Sequence, residues 1–199
     1  AARTWGQNAT PTSFGAIFAS WGWPLIGLLD DLQHLKNRLV SVSLSGAAGT
    51  LSAMADKGPQ VRAELAAGLG LNDPLRSTHT DRTDHAGFAA WMARTGAALA
   101  KIGTDIHLMA QTGIDEISLG AAGSSSTMPQ KQNPVTPALL QAIATHLNGL
   151  DHAMQSATVH AQQRDGAAWI TEWMSLPQMC LGLGRSLAAT TDMLANFDT

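Results

Sequence analysis

Four stretches of this 199-residue chain place apolar residues at steps that alternate between four and three. The first runs Phe14, Phe18, Trp21, Leu25, Leu28, Leu32, Leu35, Leu39. The second runs Phe88, Met92, Thr95, Leu99, Ile102, Ile106, Met109. The third is Leu139, Ile143, His146 or Leu147, Leu150, Met154, Ala157, and the fourth is Leu176, Cys180, Leu183, Leu187, Thr190, Leu194, Phe197. Such spacing is the seam of long helices packed at shallow crossing angles. A helix of about 27 residues runs roughly 40 Å at its standard rise. That is too long for a compact globule of this size and suits an extended bundle. No useful run alternates with a period of two, so the class is all-α.

Breakers set the expected ends. Thr10-Pro11-Thr12 reads as the start of the first helix, with Thr10 or Thr12 as cap. Pro24 should kink that helix, because it removes one backbone donor. Ser45–Thr50 is a small-residue turn, and a short helix around Gln60–Leu69 ends at Gly68 or Gly70. Residues 72–84 are polar and irregular. Between the second and third long helices the seam stops. Gly120–Thr127 has two glycines and no bulky side chain, and reads as a flexible loop that can approach a ligand.

Charged residues make up 14% of the chain, against a usual quarter, and 45% are hydrophobic. Much of the surface is therefore expected to be covered, by partners or by the rest of a larger protein. Net charge is −3, and no basic stripe suggests nucleic acid. No segment reaches the apolar length of a membrane span. The single cysteine, Cys180, excludes an internal disulfide and fits a cytoplasmic setting.

Chemistry concentrates in Gly123–Pro134. Within a dozen positions lie several hydroxyls, one cation (Lys131) and one amide (Asn133). That set suits an anionic, carboxylate-bearing substrate. The plainer alternative is a serine-rich surface loop, then a cap at Asn133 with Pro134 opening the next helix. Of the seven histidines, His34, His107, His146 and His152 fall on helices with no second ligand in register. No metal site is expected.

Ser125-Ser126-Thr127-Met128-Pro129-Gln130-Lys131-Gln132-Asn133-Pro134 matches S-S-x-M-P-x-K-x-N-P at every fixed position. The chain thereby resembles the fumarase/aspartase (class II fumarate lyase) superfamily. The resemblance implies that Ser125 exchanges a proton with carbon, and that Ser126, Met128, Lys131 and Asn133 contact substrate. It implies a loop that closes over the site. A serine hydroxyl is a poor base unless N–H groups, a cation and exclusion of water stabilise its alkoxide.

Arg3-Thr4-Trp5-Gly6-Gln7-Asn8-Ala9-Thr10-Pro11 resembles the superfamily's R-T-H-x-Q-x-A-x-P segment, which implies that Thr4, Trp5 and Gln7 face substrate. Trp5 stands where many members carry histidine, so a group titrating near pH 6.5 is missing. A packing role for Trp5 is the alternative. Tryptophan here is similar to the bacterial 3-carboxy-cis,cis-muconate cycloisomerase subgroup. That subgroup also carries E-R-D/S-x-x-x-W-x-x-E-W, matched by Gln163–Trp173 except that Gln163 replaces glutamate. It has an H-T-x-R segment like His79-Thr80-Asp81-Arg82. His79, Arg82 and Arg164 are thus candidate substrate contacts. A cap at Thr80 or Thr83 and an inter-helix role for Arg164 are the alternatives.

The implied activity is lactone formation from a small polycarboxylate, with no cofactor. Another superfamily lyase, adenylosuccinate-lyase-like, a sulfomuconate cycloisomerase and an idle helical scaffold remain open. The resemblance further implies a homotetramer with shared active sites. Residues 1–199 would be the central helical-bundle domain, an internal portion lacking N- and C-terminal domains.

Overall fold

The computed structural model describes every residue except Ala121, Ala122, Ser125, Ser126, Pro129, Gln130 and Thr199, and leaves aside the side chains of Ser124, Phe197 and Asp198. Among the described residues the chain is helical, with only two-residue strands. Its helices are α1 (Phe14–Leu39), α2 (Gly58–Leu69), α3 (Thr83–Met109), α4 (Val135–Ser156) and α5 (Gly166–Ala195), with a 3-10 turn at Ser52–Lys57. The strands are β1 (Arg3–Thr4), β2 (Gln7–Asn8), β3 (Ser118–Leu119), β4 (Gly123–Ser124), β5 (Gln132–Asn133) and β6 (Phe197–Asp198). No described helix is long and apolar enough to cross a membrane.

α3 is the central rod, packed against α1, α4 and α5. Its expected seam is buried from Met92 to Met109, and Ala86, Ala89, Trp91, Ala93, Gly96 and Gly103 are buried as well. The glycines explain how α4 comes so close. A Cβ on Gly96 would lie 2.5 Å from Leu147 Cδ1, and one on Gly103 would lie 3.1 Å from Leu140 Cδ1 and from the Pro137 carbonyl oxygen. Two notches one heptad apart on α3 thus receive two leucines one heptad apart on α4, the knobs-into-holes geometry of a helical seam. α1 is pinned by Trp91, whose indole N–H donates to the Leu28 carbonyl at 2.7 Å, and by Trp21, whose indole donates to Asp105 at 2.7 Å.

The helix ends differ in detail from the sequence expectation. Ser13, not Thr10 or Thr12, caps α1, accepting from the Ala16 N–H. α1 runs unbroken through Pro24, and α5 through Pro177. Gly70 closes α2 in the left-handed region at φ 66°. α4 starts at Val135 with Pro134, not Asn133, at the N-cap, so no side chain caps it, and Asn133 pairs in β5. Neither Thr80 nor Thr83 caps α3. Asp81 accepts there from the Thr83 N–H and hydroxyl.

On α5 the buried face is Glu172, Ser175, Met179, Leu183, Ser186, Ala189, Thr190 and Met193, while Cys180 is exposed. The expected stripe is displaced because α5 has bulky residues on two faces, and the small, polar ones point inward. The outward face carries Ile170, Trp173, Met174 and Leu181, and α1 likewise exposes Trp23, Ile26 and Leu29. Trp23 is 77% and Leu181 75% exposed in the single chain.

Candidate active site

Sequence places the candidate residues in three segments, and the bundle sorts them to its two ends. The first segment is a hairpin. β1 and β2 pair antiparallel, with Arg3 opposite Asn8 and Thr4 opposite Gln7. Trp5 and Gly6 form the two-residue turn, both at positive φ (55° and 73°), as a turn matching the right-handed strand twist requires. Glycine suits that conformation, and tryptophan does not. Trp5 is also 100% exposed, so no intrachain packing holds it. Arg3 forks onto Glu116 at 2.9 and 2.7 Å and fastens the hairpin to the segment after α3. The Arg3 hydrogen bonds hold the Glu116 carboxyl below its usual range.

The second segment, the serine loop, is itself a hairpin. Gly123 pairs with Asn133 and Ser124 with Gln132. Its entry is clamped to the end of α5. β3 pairs with β6, and the Gly120 N–H donates to the Asn196 carbonyl at 2.8 Å. Lys131 N–H donates to the Met128 carbonyl at 2.9 Å, so the exit limb turns tightly. Ser125 and Ser126 lie outside the described residues. Lys131 is exposed and Asn133 half-buried. Both line a cleft of about 610 Å³ with His107, Gln111, Thr112, Glu116 and Ser118. The His107 Nδ1 is buried with no hydrogen-bond partner among the described residues. Sequence reading passed over His107 and Glu116. Only the packing of the end of α3 under the serine loop makes them wall residues. Among the described residues no three His, Cys, Asp or Glu side chains converge to hold a metal.

Gly123 is a steric requirement of this arrangement. A Cβ there would lie 2.6 Å from Val135 Cγ2, so the strand carrying Lys131 and Asn133 would have to shift. Gly123→Ala is expected to lower kcat/KM about 10- to 100-fold, since displacement near 1 Å costs that much in a positioned site. Adding Val135→Ala should restore most of the loss, which steady-state kinetics would show.

The third segment lies at the opposite end of α3, roughly 40 Å away along a 27-residue helix. Arg82 donates from Nε and a terminal nitrogen to the two Glu172 oxygens at 2.8 and 2.5 Å, and to the Thr78 carbonyl at 3.2 Å. This pair is largely buried and ties the start of α3 to α5. His79, 9% exposed, sits beside it. A terminal nitrogen of Arg164 lies 2.8 Å from His79 Nε2, and the guanidinium stacks 3.9 Å from the centre of the Trp169 ring. Burial, then Arg164 and Arg82, push the His79 pKa below its ordinary value. His79, Arg82 and Arg164 therefore form one cluster. Within one chain that cluster does not meet Lys131 and Asn133.

The pattern of a family described as lyase matches residues 1–149. The chain belongs to the lyase family. Its solved neighbours place this lyase chain in the fumarate lyase superfamily. It is 35% identical to the 3-carboxy-cis,cis-muconate cycloisomerase of Pseudomonas aeruginosa, over 100% of this chain and 44% of that protein. It is 36% identical to the enzyme of the same name from Bradyrhizobium diazoefficiens, over 99% of this chain and 44% of that one. The crystal structure of the 3-carboxy-cis,cis-muconate lactonizing enzyme from Pseudomonas putida superposes with a TM-score of 0.93 at 32% identity, covering 100% of the lyase chain and 44% of that structure. The lyase chain thus spans less than half the length of the relatives it matches.

Proposed function

We propose that the protein carrying this chain converts 3-carboxy-cis,cis-muconate to 4-carboxymuconolactone. The observation that carries the reading is the cleft beside the serine loop. There Lys131, the one cation among the residues named around it, stands with the Asn133 amide and takes up anionic oxygens. The names of the relatives supply the substrate.

One carboxylate oxygen of the substrate adds to the far carbon of a conjugated alkene and closes the lactone ring. The alkene electron pair moves onto the carbon beside another carboxylate, giving an enediolate-like intermediate. That carbon then takes a proton from Ser125. Lys131, Asn133 and backbone N–H groups stabilise the extra charge, usually the largest catalytic contribution. The substrate itself holds both nucleophile and electron sink, so this route calls on no metal or redox cofactor. Trp5 fits the reading. Its exposed, left-handed position at a hairpin tip is one that folding alone disfavours, as is common at functional sites.

The same reading makes the protein a cytoplasmic homotetramer, with residues 1–199 as the central domain of a longer chain. Two observations favour shared sites. The Arg164 cluster and the Lys131 cleft lie at opposite ends of α3. α1 and α5 also expose large apolar residues, Trp23, Leu29, Trp173 and Leu181 among them, which suits a covered face. Light scattering on the complete protein should give four chains. Mixing Lys131→Ala and Arg164→Ala proteins, each impaired alone, under subunit exchange should restore about a quarter of the sites to wild type, since some mixed sites draw neither variant residue. A monomeric mass, or no recovery after proven exchange, would contradict shared sites. Turnover of adenylosuccinate with none of carboxymuconate would contradict the substrate.

A further inference from the structure

We propose that His79 is a positioning residue whose imidazole holds Arg164 ready to receive a substrate carboxylate. The proposal rests on the carboxylate-substrate reading above and adds the device that aims one of its receptors.

Six of the chain's eight arginines, at positions 3, 38, 62, 76, 82 and 94, pair with acidic side chains. Arg164 has no acidic partner among the described residues. It is instead fixed by two neutral groups. The Trp169 face sets its plane at 3.9 Å, and one terminal nitrogen lies over the His79 ring, 2.8 Å from Nε2 and 3.3 Å from Nδ1. A guanidinium has five N–H donors in a planar fork. One is used by His79, and the residue is exposed, so the remaining donors face solvent already oriented. An arginine held this way loses little freedom when it takes a carboxylate in two parallel hydrogen bonds. Trp169 itself is braced by Trp173, with ring centres 5.3 Å apart.

Only a neutral imidazole can hold a guanidinium against its ring; a protonated one repels it. The charged groups facing His79 are Arg164, from the segment before α5, and Arg82, from the start of α3. Glu172 of α5 neutralises Arg82, and the neighbouring Gly49 turn and Ser77 carry no charge. One turn into α3, His85 faces Arg82, Glu172, Asp84 and Asp81. Burial and two cations keep His79 neutral at ordinary pH. Acidification below its lowered pKa charges the ring and releases Arg164. Carboxylate binding should therefore weaken on the acid side.

The test uses the complete protein and tricarballylate, a non-reacting tricarboxylate, with binding followed calorimetrically as pH is lowered from neutrality. Arg164→Gln and His79→Leu should each weaken binding about tenfold at neutral pH. His79→Gln keeps a neutral, planar polar group facing Arg164 without titrating. It should rescue binding to within about threefold and lose the part of the acid weakening that wild type shows. In nitrogen NMR, the His79 imidazole should titrate at higher pH in Arg164→Gln than in wild type. Helical circular dichroism guards against misfolding. Unchanged binding in His79→Leu, an intact acid limb in His79→Gln, or no wild-type binding would each overturn the proposal. Carboxymuconate turnover is assayed separately. If the binding pattern holds and no lactone forms, the substrate assignment fails and this inference stands. If lactone forms and His79→Leu leaves KM unchanged, this inference alone fails.

Discussion

Ser125→Ala is expected to lower kcat by about 10²- to 10⁴-fold, the range for removing a positioned proton donor. The effect should fall on kcat rather than KM, because the serine acts in the transition state and binds little ground-state charge. Lys131→Met should also lose rate, by about 10²- to 10³-fold, as for a lost oxyanion donor. The two losses should not add fully, since the lysine supports the same intermediate that the serine protonates. Far-ultraviolet circular dichroism should stay unchanged in both, because both positions fall in the segment of sequence between α3 and α4. Undiminished turnover in Ser125→Ala would remove the serine from the mechanism and leave the loop as a lid.

The second large effect is on stability. Glu172→Ala leaves the Arg82 guanidinium in a site where its side chain is 12% exposed and its former partner's 8%. Breaking one side of such a pair costs about 3–5 kcal/mol, much of it from the uncompensated charge. The thermal midpoint at fixed protein concentration should fall accordingly. A paired Arg82→Met, Glu172→Leu replacement should recover most of the loss, since an apolar pair of similar volume needs no desolvation. If the single and double variants melt alike, the ion pair is not what joins α3 to α5.

The same pair shows where sequence reading stops. Arg82 was legible as a candidate contact from its local segment. Its partner lies 90 residues away, and no spacing rule connects them. α3 was legible almost in full, because one helix surrounded by its own chain keeps its bulky residues on the buried side. α5 was legible only in part. Leu183 and Thr190 of its expected stripe are buried, but Leu187 and Leu194 face outward with the same periodicity, and its buried serines give no hydrophobic signal. The Gly96 and Gly103 notches were silent for a related reason, since a missing side chain matters only once a leucine occupies the space. The serine-loop string was read directly from the residues, and so was the odd placement of Trp5. The wall formed by His107 and Glu116 was not, because it needs the end of α3, the Arg3 hairpin and the loop to be brought together.

The division of the candidate residues between two ends of the bundle is the structural fact that most shapes the functional account. On the proposed reading, Arg164 and Lys131 become halves of one shared site that assembly would unite, with the proton chemistry assigned to the loop end.

The measurement that reaches the central claim most directly is proton NMR of the complete protein with 3-carboxy-cis,cis-muconate in deuterium oxide. The account expects 4-carboxymuconolactone with one deuterium on the carbon beside the acceptor carboxylate, formed at least about 10²-fold more slowly by Ser125→Ala. Persistence of the muconate signals beside folded, assembled protein, or lactone formed by Ser125→Ala at the wild-type rate, would contradict it.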